Sequence, residues 1–216
     1  MKVIQYLSCS SMCTFEMSPE KFASKYLYGE KERITRNIHY GKLLADGMEN
    51  DEATGDPLLD LMASRLPKYD LADKVIESDG GVEIINPHDG KKYKVPFLQD
   101  GKEKIPLVAK PDSAKSDYTA FLEYKTSTRK WSQRMADDSG QITFYATAMW
   151  LATVKIPQDI ELVNVPVAYQ EDGRLAPTGE MYRFPTRRSI SDVIKMTGRM
   201  RKAWSGIHEL CEKELI

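Results

Sequence analysis

Four β-rich runs follow one another between Val82 and Tyr124, and they constrain the fold more than any other feature of this chain. Val82 to Asn86 and Lys91 to Leu98 flank Pro87-His88-Asp89-Gly90, a turn sequence. Ile105 to Asp112 and Tyr118 to Tyr124 follow, with the polar stretch Ser113 to Asp117 reading as a hairpin loop between them. A meander of this kind needs helices to cover whichever sheet face it leaves apolar. The flanking sequence supplies them.

Upstream, Ser18 reads as an N-cap with Pro19 in the first helical turn, and Phe22, Tyr26 and Leu27 give one apolar face. A second helix is predicted from about Thr35 to Glu49, with Ile38, Leu44 and Met48 on its apolar side. A third opens at Asp56-Pro57, carries Leu58, Leu59, Met62 and Leu66, and ends near Pro67. Downstream, Ser139 to Thr153 reads as a helix with Ile142, Tyr145, Met149 and Ala152 on one side. Ile160 to Tyr169 is the most apolar strand. Glu171-Asp172-Gly173 turns it toward a run near Met181 to Phe184, and a last helix starts around Ser189 with Val193, Met200, Trp204 and Ile207 as its stripe. The expected class is α+β, a central mixed β-sheet flanked by helices in a sandwich-like arrangement. The whole chain, 1–216, is read as a single domain. Its N-terminal helices occupy about 18–66, its core about 74–170, and its C-terminal hairpin and helix about 171–216.

With 216 residues, 41% hydrophobic and 29% charged, the chain can bury a core without disulfides or structural metal. No apolar run approaches the length of a membrane span, and Met1 to Leu7 is too short and polar for a signal peptide, so a cytoplasmic protein away from membranes is expected. Cys9, Cys13 and Cys211 are irregularly spaced and odd in number, and are read as reduced, partly buried thiols. Net charge is −1, from 31 basic and 32 acidic side chains. That balance argues against a protein that coats nucleic acid with its whole surface, and leaves room for a local basic groove.

The residues suited to chemistry cluster late in the meander. Pro111-Asp112 ends one predicted strand and Glu123-Tyr124-Lys125 ends the next. Alternation places Glu123 and Lys125 on the same face, with Tyr124 on the other. The tripeptide alone would also suit an exposed Glu–Lys pair on a hairpin. Two carboxylates and a lysine at one spot also suit a hard divalent cation that activates water toward a phosphodiester, with the ammonium near a phosphate oxygen. Gln141 and Tyr145, at i and i+4, share one face of the following helix. Between strand and helix, Lys125-Thr126-Ser127-Thr128-Arg129-Lys130-Trp131 supplies charge, hydroxyls and an aromatic. Arg129, Lys130, Trp131 and Arg134 are the candidate DNA contacts. Gly41, Ala45 and Glu49 lie at i, i+4 and i+8 of the second helix.

Gly41-x3-Ala45-x3-Glu49, Pro111-Asp112, Glu123-x-Lys125 and Gln141-x3-Tyr145 together resemble the PD-(D/E)xK nuclease superfamily, in its RecB-like exonuclease branch. Ser10-Ser11-Met12 and Ser18-Pro19-Glu20-Lys21-Phe22 are similar to the N-terminal helix of that branch, and the resemblance spans roughly residues 5–170. It implies a restriction-endonuclease-like core and Mg²⁺- or Mn²⁺-dependent hydrolysis of DNA. Asp112, Glu123 and the backbone carbonyl of Tyr124 would then be metal contacts, and Lys125 the catalytic lysine. Gln141 and Tyr145 would line the active site, with Glu49 facing the metal from the first helical layer. Two positions depart from the pattern. The branch often carries a histidine where this chain has Ala45, with His39 nearby on another face. Its iron–sulfur relatives also place a cysteine where this chain has Ser18, so no iron–sulfur cluster is expected.

Arg187, Arg188, Lys195, Arg199, Arg201 and Lys202 are read two ways, as a solvated face or as a positive wall of a DNA groove. No base-reading or helicase motif is present. The expectation is an end-directed nuclease of DNA recombination, repair or phage DNA processing, with unwinding supplied by a recombination or helicase partner. The alternative is an inactive module of nuclease fold that binds DNA or a protein.

Overall fold

The computed structural model describes residues 4–30, 41, 43, 55–72, 74–86 and 90–214. The predicted helix over 35–49 therefore lies outside the described residues, apart from Gly41 and Leu43, which are helical. Ala45, Glu49 and His39 fall outside them as well.

The architecture is α+β, with mixed sheets and flanking helices. Its centre is a six-stranded sheet in the order β10 (Leu175–Pro177), β9 (Asp159–Tyr169), β8 (Ala120–Ser127), β7 (Ser113–Ala114), β2 (Leu71–Ala72), with β11 (Tyr182–Thr186) also paired to β9. β8 and β9 run parallel through Ala120↔Asp159 to Ser127↔Pro166, and the other pairings in this sheet are antiparallel. β1 (Leu7–Ser8), β6 (Glu103–Val108) and β5 (Phe97–Asp100) form a second sheet, and β3 (Val82–Ile85) and β4 (Lys92–Val95) a hairpin.

Two prolines break the expected meander. The run 91–98 is two strands parted at Pro96, because proline offers no N–H to a ladder. The run 105–112 stops at Val108, ahead of Pro111, and pairs with β5 and β1 rather than with the strand that follows it. Its place beside β8 is taken by Ser113–Ala114, which the sequence reading had put in a loop. β8 itself starts at Ala120 and runs on through Lys125 to Ser127.

The parallel pair is joined by α4 (Gln133–Asp137) and α5 (Gly140–Thr153). The helix expected from Ser139 is present, and Ser139 caps it by accepting from the Ile142 N–H. One-sided burial of α5 does not hold: Phe144, Ala146, Thr147 and Ala148 are buried along with Ile142, Tyr145 and Met149. It packs between the sheet, α1 (Cys9–Met17) and the C-terminal helix α6 (Ile190–Glu214), so little of its circumference meets water. Helix α1 was not foreseen from residue patterning. Ser18 caps the next helix, α2 (Pro19–Phe22), as predicted, and Asp56 caps α3 (Pro57–Arg65). The stripe Val193, Met200, Trp204 and Ile207 of α6 is buried as expected. Among the described residues, no helix is long and apolar enough to cross a membrane.

Arg188 ties the crossover to the rest of the fold. Its Nε donates to Thr143 Oγ1 at 2.7 Å, Nη1 to Thr186 Oγ1 and the Arg187 carbonyl, and Nη2 to the Ala136 and Ser139 carbonyls. All five guanidinium N–H groups are used on one buried side chain. Burial lowers its pKa from the ordinary arginine value, against the opposing charges of Asp192, Asp137 and Asp138.

Helix α5 ends on Val154 at φ 62°, a left-handed conformation that a β-branched residue adopts only at a cost of about 1–2 kcal/mol. Val154 is 81% exposed, so its side chain returns little packing energy. Val154→Gly should raise the unfolding free energy by about 1 kcal/mol after allowing for the greater freedom of glycine in the unfolded chain. Urea denaturation tests this, and an unchanged or lower midpoint would show that no strain resides there.

Candidate active site

Alternation along β8 sorts its side chains onto two faces. Leu122 and Tyr124 share one with Val163 and Val165 of β9, in the register Leu122↔Glu161, Tyr124↔Val163 and Thr126↔Val165. This face packs on Leu59, Met62, Ala63 and Leu66, with Leu43 alongside. The Tyr124 hydroxyl donates to the Pro67 carbonyl, and burial pushes its phenol above the ordinary range. A Cβ on Gly41 would lie 3.2 Å from Thr126 Oγ1, so the described part of the second helix also approaches this side.

Phe121, Glu123 and Lys125 occupy the opposite face, beneath α5. Phe121 meets the Tyr145 ring edge-on at 6.1 Å. The Lys125 ammonium donates to Glu123 Oε1 at 2.5 Å and to Gln141 Oε1 at 2.8 Å. The Gln141 amide in turn donates to the Tyr145 hydroxyl at 2.9 Å. A continuous hydrogen-bonded chain therefore runs from strand to helix through Glu123, Lys125, Gln141 and Tyr145. All four were selected from sequence.

Asp112 enters from the residue before β7. Extending the pairing Ser113↔Leu122 by one residue sets Asp112 across from Glu123, and Asp112 Oδ2 accepts the Tyr124 N–H at 2.6 Å. Both carboxylates act on Lys125. Burial alone would lower the lysine pKa, but the charge and hydrogen bond of Glu123 outweigh it and Asp112 adds to them, so the net shift is upward. Tyr145 is pushed well above the ordinary phenol value by burial and then by Glu123, so it is a neutral hydroxyl at physiological pH.

Among the described residues, no three His, Cys, Asp or Glu side chains gather at one point. Two carboxylates fit a hard cation that keeps several waters, such as Mg²⁺ or Mn²⁺, better than the four-coordinate nitrogen and sulfur sites of zinc. Asp112 and Glu123 could hold such an ion, with the Tyr124 carbonyl next to Glu123 in sequence.

Asn164 was missed by sequence reasoning. It is fully buried on β9, level with Lys125 in the parallel register. Its Nδ2 donates to the Lys125 carbonyl at 2.9 Å and to Ser127 Oγ at 3.3 Å, and its Oδ1 accepts the Trp131 N–H at 3.3 Å. It fixes the end of β8 and the loop that leaves it. A lone amide inside the most apolar run of the sequence was the available signal.

The candidate DNA contacts are dispersed around this loop. Arg129 and Lys130 are exposed, and the Lys130 ammonium sits 3.7 Å from the centre of the Tyr182 ring. Trp131 is half-buried against the core, and Arg134 is exposed beside Asp138 at 3.4 Å. The C-terminal basic run divides. Arg188 is buried, Arg199 forms a two-armed ion pair with Glu16, and Arg201 lies 3.5 Å from Asp100. Arg188 is taken up by the crossover and the other two anchor α6, so the run is no continuous positive wall.

The raised pKa of Lys125 fixes the sign of its contribution to stability with pH. A cation stabilised in the fold contributes fully below its unfolded pKa, about 10.4, and loses that contribution as pH rises through the higher folded value. Lys125→Met should therefore be less stable than the parent from neutral pH to about pH 10, with the gap closing above it. Chemical denaturation of both proteins between pH 7 and 11 measures this, and a gap that widens with pH would contradict it.

No family model and no curated protein matches the chain. Among solved structures it is similar to the crystal structure of an alkaline exonuclease (LHK-Exo) from Laribacter hongkongensis, with 12% identity, 97% of this chain and 93% of that chain covered, and a TM-score of 0.40. A likeness at that level carries no argument about chemistry, which rests here on the residues of the site.

Proposed function

We propose that this chain is a metal-dependent DNA nuclease that works from DNA ends. The observation that carries this reading is the hydrogen-bonded chain from Glu123 through Lys125 and Gln141 to Tyr145, with Asp112 set beside it. Bound to Asp112 and Glu123, Mg²⁺ or Mn²⁺ would supply a more acidic water and a polarised phosphate.

The side chains have separable tasks. Glu123 and Gln141 hold the Lys125 ammonium in one position by two of its three donors, leaving the third for a phosphate oxygen. That interaction strengthens as negative charge builds on the phosphate, so it lowers the barrier more than it tightens binding. Tyr145 accepts from Gln141 and keeps its own proton for donation. The exposed cations of Arg129 and Lys130 can bind backbone phosphates, which position DNA without reading sequence. This favours attack at ends over sequence-specific cutting, with any unwinding left to a partner protein.

End-labelled linear and closed circular DNA, incubated with Mg²⁺, Mn²⁺ or EDTA, test the reading. Linear DNA should be degraded only with metal while circles persist. Asp112→Asn and Glu123→Gln should each lower the rate by at least about 10³-fold while the native circular dichroism spectrum is retained. Lys125→Ala should lose about 10²-fold or more in single-turnover rate while binding DNA in Ca²⁺ as the parent does. Absence of cleavage under every condition would instead favour the binding-module reading, and cleavage in EDTA would exclude the metal mechanism.

A further inference from the structure

Two of the three thiols lie together on α1, behind the site and outside the chemistry proposed for it. Cys9 Sγ and Cys13 Sγ are 3.9 Å apart, in hydrogen-bond contact. Cys9 is buried and Cys13 partly exposed, while Cys211 lies near the end of α6. The two members of the pair differ in surroundings. Cys13 stands beside Arg199, which is itself held by Glu16 of α1. Cys9 faces inward, within electrostatic reach of Glu123 and Lys125.

We infer that Cys13 is a peroxide-reactive thiol and Cys9 its resolving partner, so that a hydroperoxide converts the pair into a reversible disulfide within the first turns of α1. The thiolate of Cys13 attacks the hydroperoxide and breaks its O–O bond. Cys13 becomes a sulfenate, protonated to the sulfenic acid, and an alcohol or water leaves. The Cys9 thiol then attacks the Cys13 sulfur, the S–O bond breaks, and water departs as the disulfide forms. The two thiols lose two electrons, and the peroxide oxygen gains them.

Geometry favours the pairing and makes it labile. Residues four apart on a helix have Cα atoms about 6.2 Å apart, inside the range disulfides span. Their Cβ atoms lie about 5–6 Å apart, some 1–2 Å more than a relaxed disulfide allows. Closure must therefore loosen the start of α1. Cys9 is its first residue, where the N–H has no partner in the helical ladder, so loosening costs least there. A strained, partly exposed disulfide is the readily reduced kind.

The ionisation of the pair agrees with these roles. The Cys9 hydrogen bond lowers the Cys13 pKa most, burial opposes this, and Arg199 helps against Glu16, with a result of about 6. Cys9 is pushed the other way, chiefly by its bond to Cys13 and by burial. At neutral pH the thiolate is thus at the more exposed sulfur, and the proton at the buried one.

Peptide mass spectrometry of peroxide-treated protein reads the outcome independently of nuclease activity. In the parent, the peptide containing both cysteines should lose two hydrogens and regain them with dithiothreitol. In Cys9→Ser, Cys13 should instead accumulate a sulfenic acid that dimedone traps. In Cys13→Ser, Cys9 should remain an unmodified thiol. Iodoacetamide should label parental Cys13 with half-maximal rate near pH 6 and at higher pH in Cys9→Ser. Retention of both thiols in peroxide-treated parent, or dimedone capture at Cys9 rather than Cys13, would overturn the assignment.

Discussion

Parallel pairing between β8 and β9 is the constraint from which the candidate site follows. Two neighbouring parallel strands cannot be joined by a tight turn; the chain must cross over the sheet, and here it does so through α4 and α5. The crossover covers one face of the pair, and its helix brings side chains onto whatever that face presents. On β8 those residues are Phe121, Glu123 and Lys125, and on β9 they are Ile160, Leu162 and Asn164. Gln141 and Tyr145 come down onto the charged end of this row. A shift of one residue in β8 would have turned Glu123 and Lys125 into the opposite, apolar layer against α3.

Stability alone does not explain the charges at that end. Two ions taken out of water lose hydration that their attraction does not always restore, and apolar residues of similar size often hold such a place as well, or better by about 1–4 kcal/mol. Glu123 is almost fully buried, and the ammonium beside it makes at least two hydrogen bonds. Asn164, another costly polar group, is buried level with Lys125 and tethers its backbone. Along β8 and β9 these polar groups sit on the side that meets α5, while the opposite face of the same strands packs against leucine and methionine. That asymmetry is expected where geometry serves chemistry.

What sequence revealed depended on whether the relevant contact was local. Alternation put Glu123 and Lys125 on one face, helical spacing put Gln141 and Tyr145 on one face, and the structure joins the two pairs directly. Capping signals at Ser18 and Asp56 located two helix starts, because a cap is a contact between near neighbours. Strand partners were harder. Residues 105–108 and 113–114 look like one strand and its loop, yet they belong to different sheets, since pairing with β1 and β5 or with β8 is settled by distant segments. Helix α1 carries two cysteines, two serines and no clear apolar stripe, so patterning did not reveal it, although Ser8 and Ser11 form a capping box at its start and it packs against α2 and α6. Asn164 escaped notice because its importance lies in a register to Lys125 that only the paired strands define.

The attachment of the crossover differs in kind from the site it supports. Arg188 meets hydroxyls and carbonyls alone, and none of those five oxygens takes up a proton in the range proteins experience. Its bonds are thus made to neutral groups, with the carboxylates of Asp192 and Asp137 standing behind them, whereas the array around Lys125 is bonded to a carboxylate directly. The two cations also differ in how they are held: five bonds fix the Arg188 guanidinium among α4, α5 and β11, whereas two orient the Lys125 ammonium. One cation is thus spent wholly on holding the scaffold, while the other has bonding capacity beyond the two contacts that orient it.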